Sequence, residues 1–171
     1  MKRMWAEWRM SYVQSAPGKG CLFCNAMKKR DRDAFVLERT EHSFMMLNAF
    51  PYNSGHVMVA PSRHVRYLHK LREEELSDLA RMVVRGEKAL RSAYKPQGLN
   101  IGMNLGKCAG AGVAGHLHVH IVPRWDADTN FMPVIGETKV MPESLPSTMR
   151  RIKEALRKIG GPGARKKSGR K

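Results

Sequence analysis

Hydrophobic positions recur along this chain with two periods, and the two periods mark different elements. The period is two at residues 116–122, where His116, His118 and His120 alternate with Leu117, Val119 and Ile121. Such alternation predicts a strand, with the three imidazoles in one row about 6.6 Å apart and the aliphatic side chains turned to a core. Alternation also resumes over His56–Pro61, and shorter strand-like runs at Ala34–Arg39 and Ser43–Leu47 predict a hairpin, with a further strand over Leu99–Asn104. From about Arg72 to Tyr94 the period lengthens: Leu76, Leu79, Ala80, Val83, Val84 and Leu90 follow a helical repeat, with Glu73–Glu75 at its positive end and Pro96 and Gly98 closing it. A second helix is predicted from Pro142 or Glu143 to about Ile159, and a short strand at Met132–Ile135 within a loop-like stretch from Asp126 to Pro142. Strands in hairpin-like order with helices kept apart from them predict an α+β fold. It has an antiparallel sheet of about five strands, one long helix and a C-terminal helix.

At 171 residues the chain reads as one domain over 1–159, followed by a basic tail at 160–171 that is too rich in glycine and charge to fold. No apolar run reaches the roughly 20 residues of a membrane span, and the start of the chain lacks a signal peptide's apolar stretch, so no membrane partner is expected. Three cysteines, an odd number, fit thiols in a reducing compartment, and the expected location is the cytoplasm. A net charge of +16 favours anionic partners, nucleotides and polyphosphates among them, with a weak nucleic-acid contact through the tail.

Three of the seven histidines in register point to chemistry, because a neutral imidazole can attack phosphorus or bind a metal near neutral pH. The Cys21-Leu22-Phe23-Cys24 turn has the spacing of a zinc half-site. The loop from Gly106 to Gly115 offers backbone N–H groups at Gly110 and Gly112 for phosphate, with Lys107 adding charge, although it lacks the ending of a P-loop.

The segment His116–Val122 resembles the His-x-His-x-His-x-x signature of the histidine triad superfamily of nucleotide hydrolases and transferases. The likeness extends to Met4–Tyr12, Cys21-x-x-Cys24, Leu47–His56 and His120–Trp125 through Asn130–Met132, and it is to the bacterial branch containing diadenosine tetraphosphate phosphorylases. The resemblance implies that His118 is the nucleophile that forms a nucleotidyl-histidine. It makes His120 the matching phosphate contact and candidate proton donor, gives Asn104 a phosphate oxygen, and sets Asn48 against the ribose. It implies a structural zinc held by Cys21, Cys24, His64 and His116, and no organic cofactor. It also implies a homodimer acting on dinucleoside polyphosphates or other adenylated compounds. Ala111-Gly112 stands where the phosphorylases carry Gly-Ser, so phosphate and water both stay open as acceptor. His42, His56 and His69 are read as structural. Two alternatives stay open on sequence alone: a hydrolase in which His116, His118 and His120 ligate a catalytic metal, and a protein that binds nucleic acid or processes its ends.

Overall fold

The structure is a computed structural model that describes residues 20–126, 128 and 141–161. The N-terminal segment Met4–Tyr12, the expected strand at Met132–Ile135 and the tail beyond residue 161 lie outside the described residues. Five strands form one sheet in the order β1-β2-β3-β5-β4, with every neighbouring pair antiparallel. They are β1 (Val36–Arg39), β2 (Ser43–Leu47), β3 (Val57–Pro61), β4 (Gly98–Gly102) and β5 (Val119–Arg124). Among the described residues three α-helices accompany them: α1 (Leu22–Lys28), α2 (Glu73–Tyr94) and α3 (Leu145–Lys158). Among the described residues no helix is long and apolar enough to cross a membrane.

Both faces of the middle of the sheet are covered, which explains why β2 and β3 are buried at every position rather than alternately. On one face Met45, Leu47, Val57, Val59, Val119 and Ile121 pack with Leu79, Met82 and Leu90 of α2 and Ile152 and Leu156 of α3. On the other, Phe44, Met46, Met58 and Ala60 pack with Phe23 and Ala26 of α1. Helix α2 lies so close to β5 that a Cβ added at Gly86 would come within 2.7 Å of Ile121 Cδ1. The helix is started by Glu75, whose side chain accepts the Arg72 N–H at 2.9 Å. It is stopped at Lys95, which takes a left-handed φ of 46° just before Pro96. Arg85, half-buried, ties α2 to β1 by pairing one guanidinium edge, Nε and Nη2, with both carboxylate oxygens of Glu38 at 2.7 Å.

Two sequence expectations need correction. The Cys21–Cys24 stretch is not a turn but the start of α1, where Phe23 and Ala26 are buried on one side of a seven-residue helix. The histidine row is not wholly inside a strand: β5 begins at Val119, and residues 116–118 approach it as an extended lead anchored by the Leu117 N–H on the Val65 carbonyl at 2.7 Å. The inside–outside alternation nevertheless holds, since Leu117, Val119 and Ile121 all belong to the core.

Candidate functional site

The three histidines lie on the α1 side of the sheet, where the cover supplied by α1 gives way to an open cavity over β4 and β5. At the covered end His116 is buried. Its Nε2 faces the Pro61 carbonyl at 2.9 Å, and a carbonyl only accepts, so the proton sits on Nε2 and the Nδ1 lone pair is left over. Nδ1 points at sulfur, 3.3 Å from Cys21 Sγ and 3.7 Å from Cys24 Sγ, while His64 Nδ1 is 3.2 Å from Cys24 Sγ. The four donor atoms lie within 4.8 Å of one another. That spread suits a tetrahedral ion with bonds of about 2.0–2.3 Å. Burial, and next the adjacent Cys21, push the Cys24 thiol up. His64 is exposed, but its neighbour Arg63 grips the buried Glu75 at 2.8 and 2.7 Å, so the segment that carries His64 is pinned to α2. The Arg63 guanidinium holds the Glu75 carboxyl far below the usual carboxylate range.

His118, in the middle, is also buried. Its Nδ1 donates to the His116 carbonyl at 2.8 Å, which leaves the Nε2 lone pair without a proton. Phe23 lies against both rings, with centroids 5.1 Å from His116 and 4.8 Å from His118. Burial pulls the His118 pKa down against the opposing effect of that carbonyl.

His120 lines the cavity, and its state is set by a residue far away in sequence. The backbone N–H of Tyr52 donates to His56 Nδ1 at 3.1 Å, so the His56 proton lies on Nε2, 2.9 Å from His120 Nδ1. His120 therefore accepts at Nδ1 and carries its own proton on Nε2. Burial, with His118 as the second cause, lowers its pKa to about 4. Tyr52 stacks on the same ring at 5.9 Å. Sequence alone marks His56 as structural, yet it orients His120. Nothing local signals this, because the two are 64 residues apart.

The cavity, about 430 Å³, takes Asn104, Gly102 and Asn100 from β4 and its continuation, and His120, Val122 and Arg124 from β5. Its rim is braced by residues that carry no site signal in the sequence. Asp128 accepts from Arg124 at 2.6 and 2.8 Å and from the buried Asn53 at 2.8 Å, and Arg124 also donates to Asn100 Oδ1 at 2.7 Å. Arg124 holds the Asp128 carboxyl well below the usual carboxylate range.

The remaining candidates are placed differently. Asn48 is buried, with its amide nitrogen 3.4 Å from His56 Nδ1 and its oxygen accepting the Phe50 N–H. Asn104 donates to the Gly110 carbonyl at 3.3 Å. The Gly110 N–H, expected to face phosphate, instead closes a 3-10 turn over Lys107–Ala109 by donating to the Lys107 carbonyl at 2.9 Å, with Gly110 at φ 88°. Lys107 and Gly112 are exposed on that loop.

Comparison with known proteins places this arrangement. Residues 29–127 match the family described as HIT domain. The chain is 36% identical over 159 residues to the AP-4-A phosphorylase of Mycobacterium tuberculosis, covering 88% of this chain and 82% of that protein. It is 39% identical over 93 residues to the asymmetrical bis(5'-nucleosyl)-tetraphosphatase of Schizosaccharomyces pombe, covering 54% of this chain and 50% of that protein. Among solved structures, a Zn-bound histidine triad family protein from Mycobacterium smegmatis superposes with a TM-score of 0.66 at 26% identity, over 82% of this chain and 95% of that one.

Proposed function

The chain belongs to the HIT domain family, and on that premise we propose that it is a nucleotidyl transferase or hydrolase that cleaves dinucleoside polyphosphates or related adenylated compounds through a nucleotidyl-histidine. One observation carries the reading: His118 donates its only proton to a backbone carbonyl, leaving a bare Nε2 beside a ring whose own proton is on Nε2 and which lines the cavity. A bare imidazole nitrogen is the nucleophile that phosphorus chemistry needs, and the neighbouring N–H is the donor that a departing oxygen needs. In the first step the His118 Nε2 lone pair forms the N–P bond at an α-phosphorus. The P–O bond on the far side breaks, its electron pair goes to the leaving oxygen, and His120 hydrogen-bonds that oxygen. Water or inorganic phosphate then displaces the histidine nitrogen and restores the lone pair. Asn104 lines the cavity and is assigned the contact to a phosphate oxygen, Lys107 and Gly112 are assigned to the phosphates from the exposed loop, and Asn48 shapes the loop that carries Tyr52 and His56.

Cys21, Cys24, His64 and His116 would hold a zinc ion. Four protein donors leave it no open position, so the ion supplies structure, fastening α1 and the 61–72 segment to the lead into β5. A cation among the sulfurs is also the charge that favours both thiolates. The rival reading, three histidines around one catalytic metal, is disfavoured because the nitrogen that His116 leaves over points at sulfur and His120 Nδ1 is occupied by the His56 N–H. Nothing in the described residues favours the nucleic-acid reading. A thiol cluster suits the reducing cytoplasm. Among the described residues β4 ends the strand order, carrying exposed Ile101 with exposed Met103 and Leu105 just beyond it, which supports pairing with a second copy of the chain. Light scattering of Ile101→Lys beside the parent chain tests that pairing: a parent that is already monomeric sinks it.

The decisive experiment incubates the protein with diadenosine tetraphosphate and analyses products with and without phosphate. ADP with ATP marks phosphorolysis, AMP with ATP marks hydrolysis, and a sample quenched in alkaline detergent, which spares the acid-labile N–P bond, carries nucleotide on His118. Absence of turnover, or turnover with no nucleotide trapped on His118, overturns the reading.

A further inference from the structure

Gly102 sits in the middle of the site without any local reason to be glycine. It pairs in register with His120 across the β4–β5 ladder, so a side chain there would stand on the same face as the imidazole. Its φ is not in the left-handed region, and a Cβ built on it would meet nothing within 4 Å. Neither backbone conformation nor crowding by this chain calls for glycine, and glycine weakens a strand. What a side chain at 102 would enter is the cavity of about 430 Å³. That cavity runs from His120 past Val122 to Arg124 and does not include His118. Along β5 it therefore extends from His120 in the direction away from His118. In-line displacement sends the leaving group away from the attacking nitrogen, and the cavity is large enough for a nucleotide-sized group.

We propose that Gly102 is a specificity-determining residue: the missing side chain opens the strand floor beside His120 so that a bulky nucleoside polyphosphate leaving group can occupy the cavity between Tyr52 and Arg124. The inference rests on the function proposed above. It concerns which adenylated compounds the site accepts rather than whether His118 attacks. The amides of Asn100 and Asn104 offer hydrogen bonds there, and Tyr52 offers an aromatic face. Main-chain pairing of a second copy along β4 would itself run in the plane of the sheet, whereas the absent side chain points normal to it.

Gly102→Ala and Gly102→Val test the inference with two substrates that differ in leaving group, diadenosine tetraphosphate and adenosine 5′-phosphoramidate. The expected result is a graded fall in the ratio of the two kcat/KM values, at least about tenfold for valine and less for alanine. A ratio that stays constant in both variants overturns it. Calorimetry with ATP and with AMP decides the same question if turnover is lost. ATP carries two more phosphates than AMP, and the proposal sends them past His120, so its Kd should weaken at least about tenfold more. Equal weakening rejects the role of Gly102. Failure of the parent chain to cleave either substrate would count against the proposed function, whereas the ATP–AMP difference would still judge Gly102 by itself.

Discussion

His116 and His120 lie four residues apart on one extended segment, and burial brings both to a pKa of about 4, yet their nitrogens face opposite surroundings. At the first, Nε2–H is fixed on Pro61 and Nδ1 looks into a pocket of sulfur; at the second, Nδ1 is fixed by His56 and the ring borders open space. A depressed pKa thus says that both rings are neutral and nothing about what each does. The distinction lies in which nitrogen the surrounding donors and acceptors leave over, and in whether the space beyond it holds thiols or a cavity. Phe23 bridges the two surroundings, since it stands between the two cysteines in sequence and against the His116 and His118 rings in space.

The comparison breaks most sharply if the ring between the two ends is removed. His118→Ala should lower kcat by at least about a thousandfold with circular dichroism and melting temperature unchanged. Residual activity near the parent level would mean that neither end flanks a nucleophile. Next in size, Cys24→Ser or His116→Ala should strip bound zinc, measured by atomic emission, and lower Tm by about 10 °C, equivalent to roughly 3 kcal/mol. Full metal content in either variant would leave the two ends alike. A smaller effect tests the other end: His56→Phe removes the donor to His120 Nδ1 and should lower kcat about tenfold, as a lost hydrogen bond worth roughly 1–1.5 kcal/mol implies, while zinc content stays intact. Loss of zinc there would show that the two ends are one unit.

The smallest effect concerns pH. His120 has a folded pKa of about 4 against about 6.5 in the unfolded chain, so between these values the unfolded state binds more protons. Its contribution to stability is complete above about pH 6.5 and is lost as the pH falls toward 4, at no more than about 1.4 kcal/mol per pH unit. Urea unfolding of His120→Gln should show a flatter dependence than the parent over that window, and superimposable curves would reject the assignment.

Much of this is legible in the sequence because it follows local periodicity. The alternation around Leu117, Val119 and Ile121 locates the sheet interior and the 3.6-residue repeat locates α2 to within a residue, whereas spacing offers only the Cys21–Cys24 half of the sulfur-and-nitrogen cluster and the family resemblance implies His64 and His116. Helix α1 escapes a sequence reading because its seven residues carry no side-chain cap and only two buried positions, too little signal to distinguish it from a turn. The orienting role of His56 is illegible since its partner arrives through the β3–β5 pairing, a long-range register that no local window contains. The Gly110 N–H misleads because glycine-rich composition does not reveal whether a loop's amides face outward or close on the loop itself, as here.

The near contact between Gly86 and Ile121 has a consequence for anyone who would alter this protein. Behind the imidazoles there is less than a methyl group of slack, so an alanine at 86 would have to turn aside the Ile121 Cδ1 methyl or shift the helix against β5. The mouth of the site can be recarved one atom at a time, whereas its back wall gains room only where Ile121 turns aside.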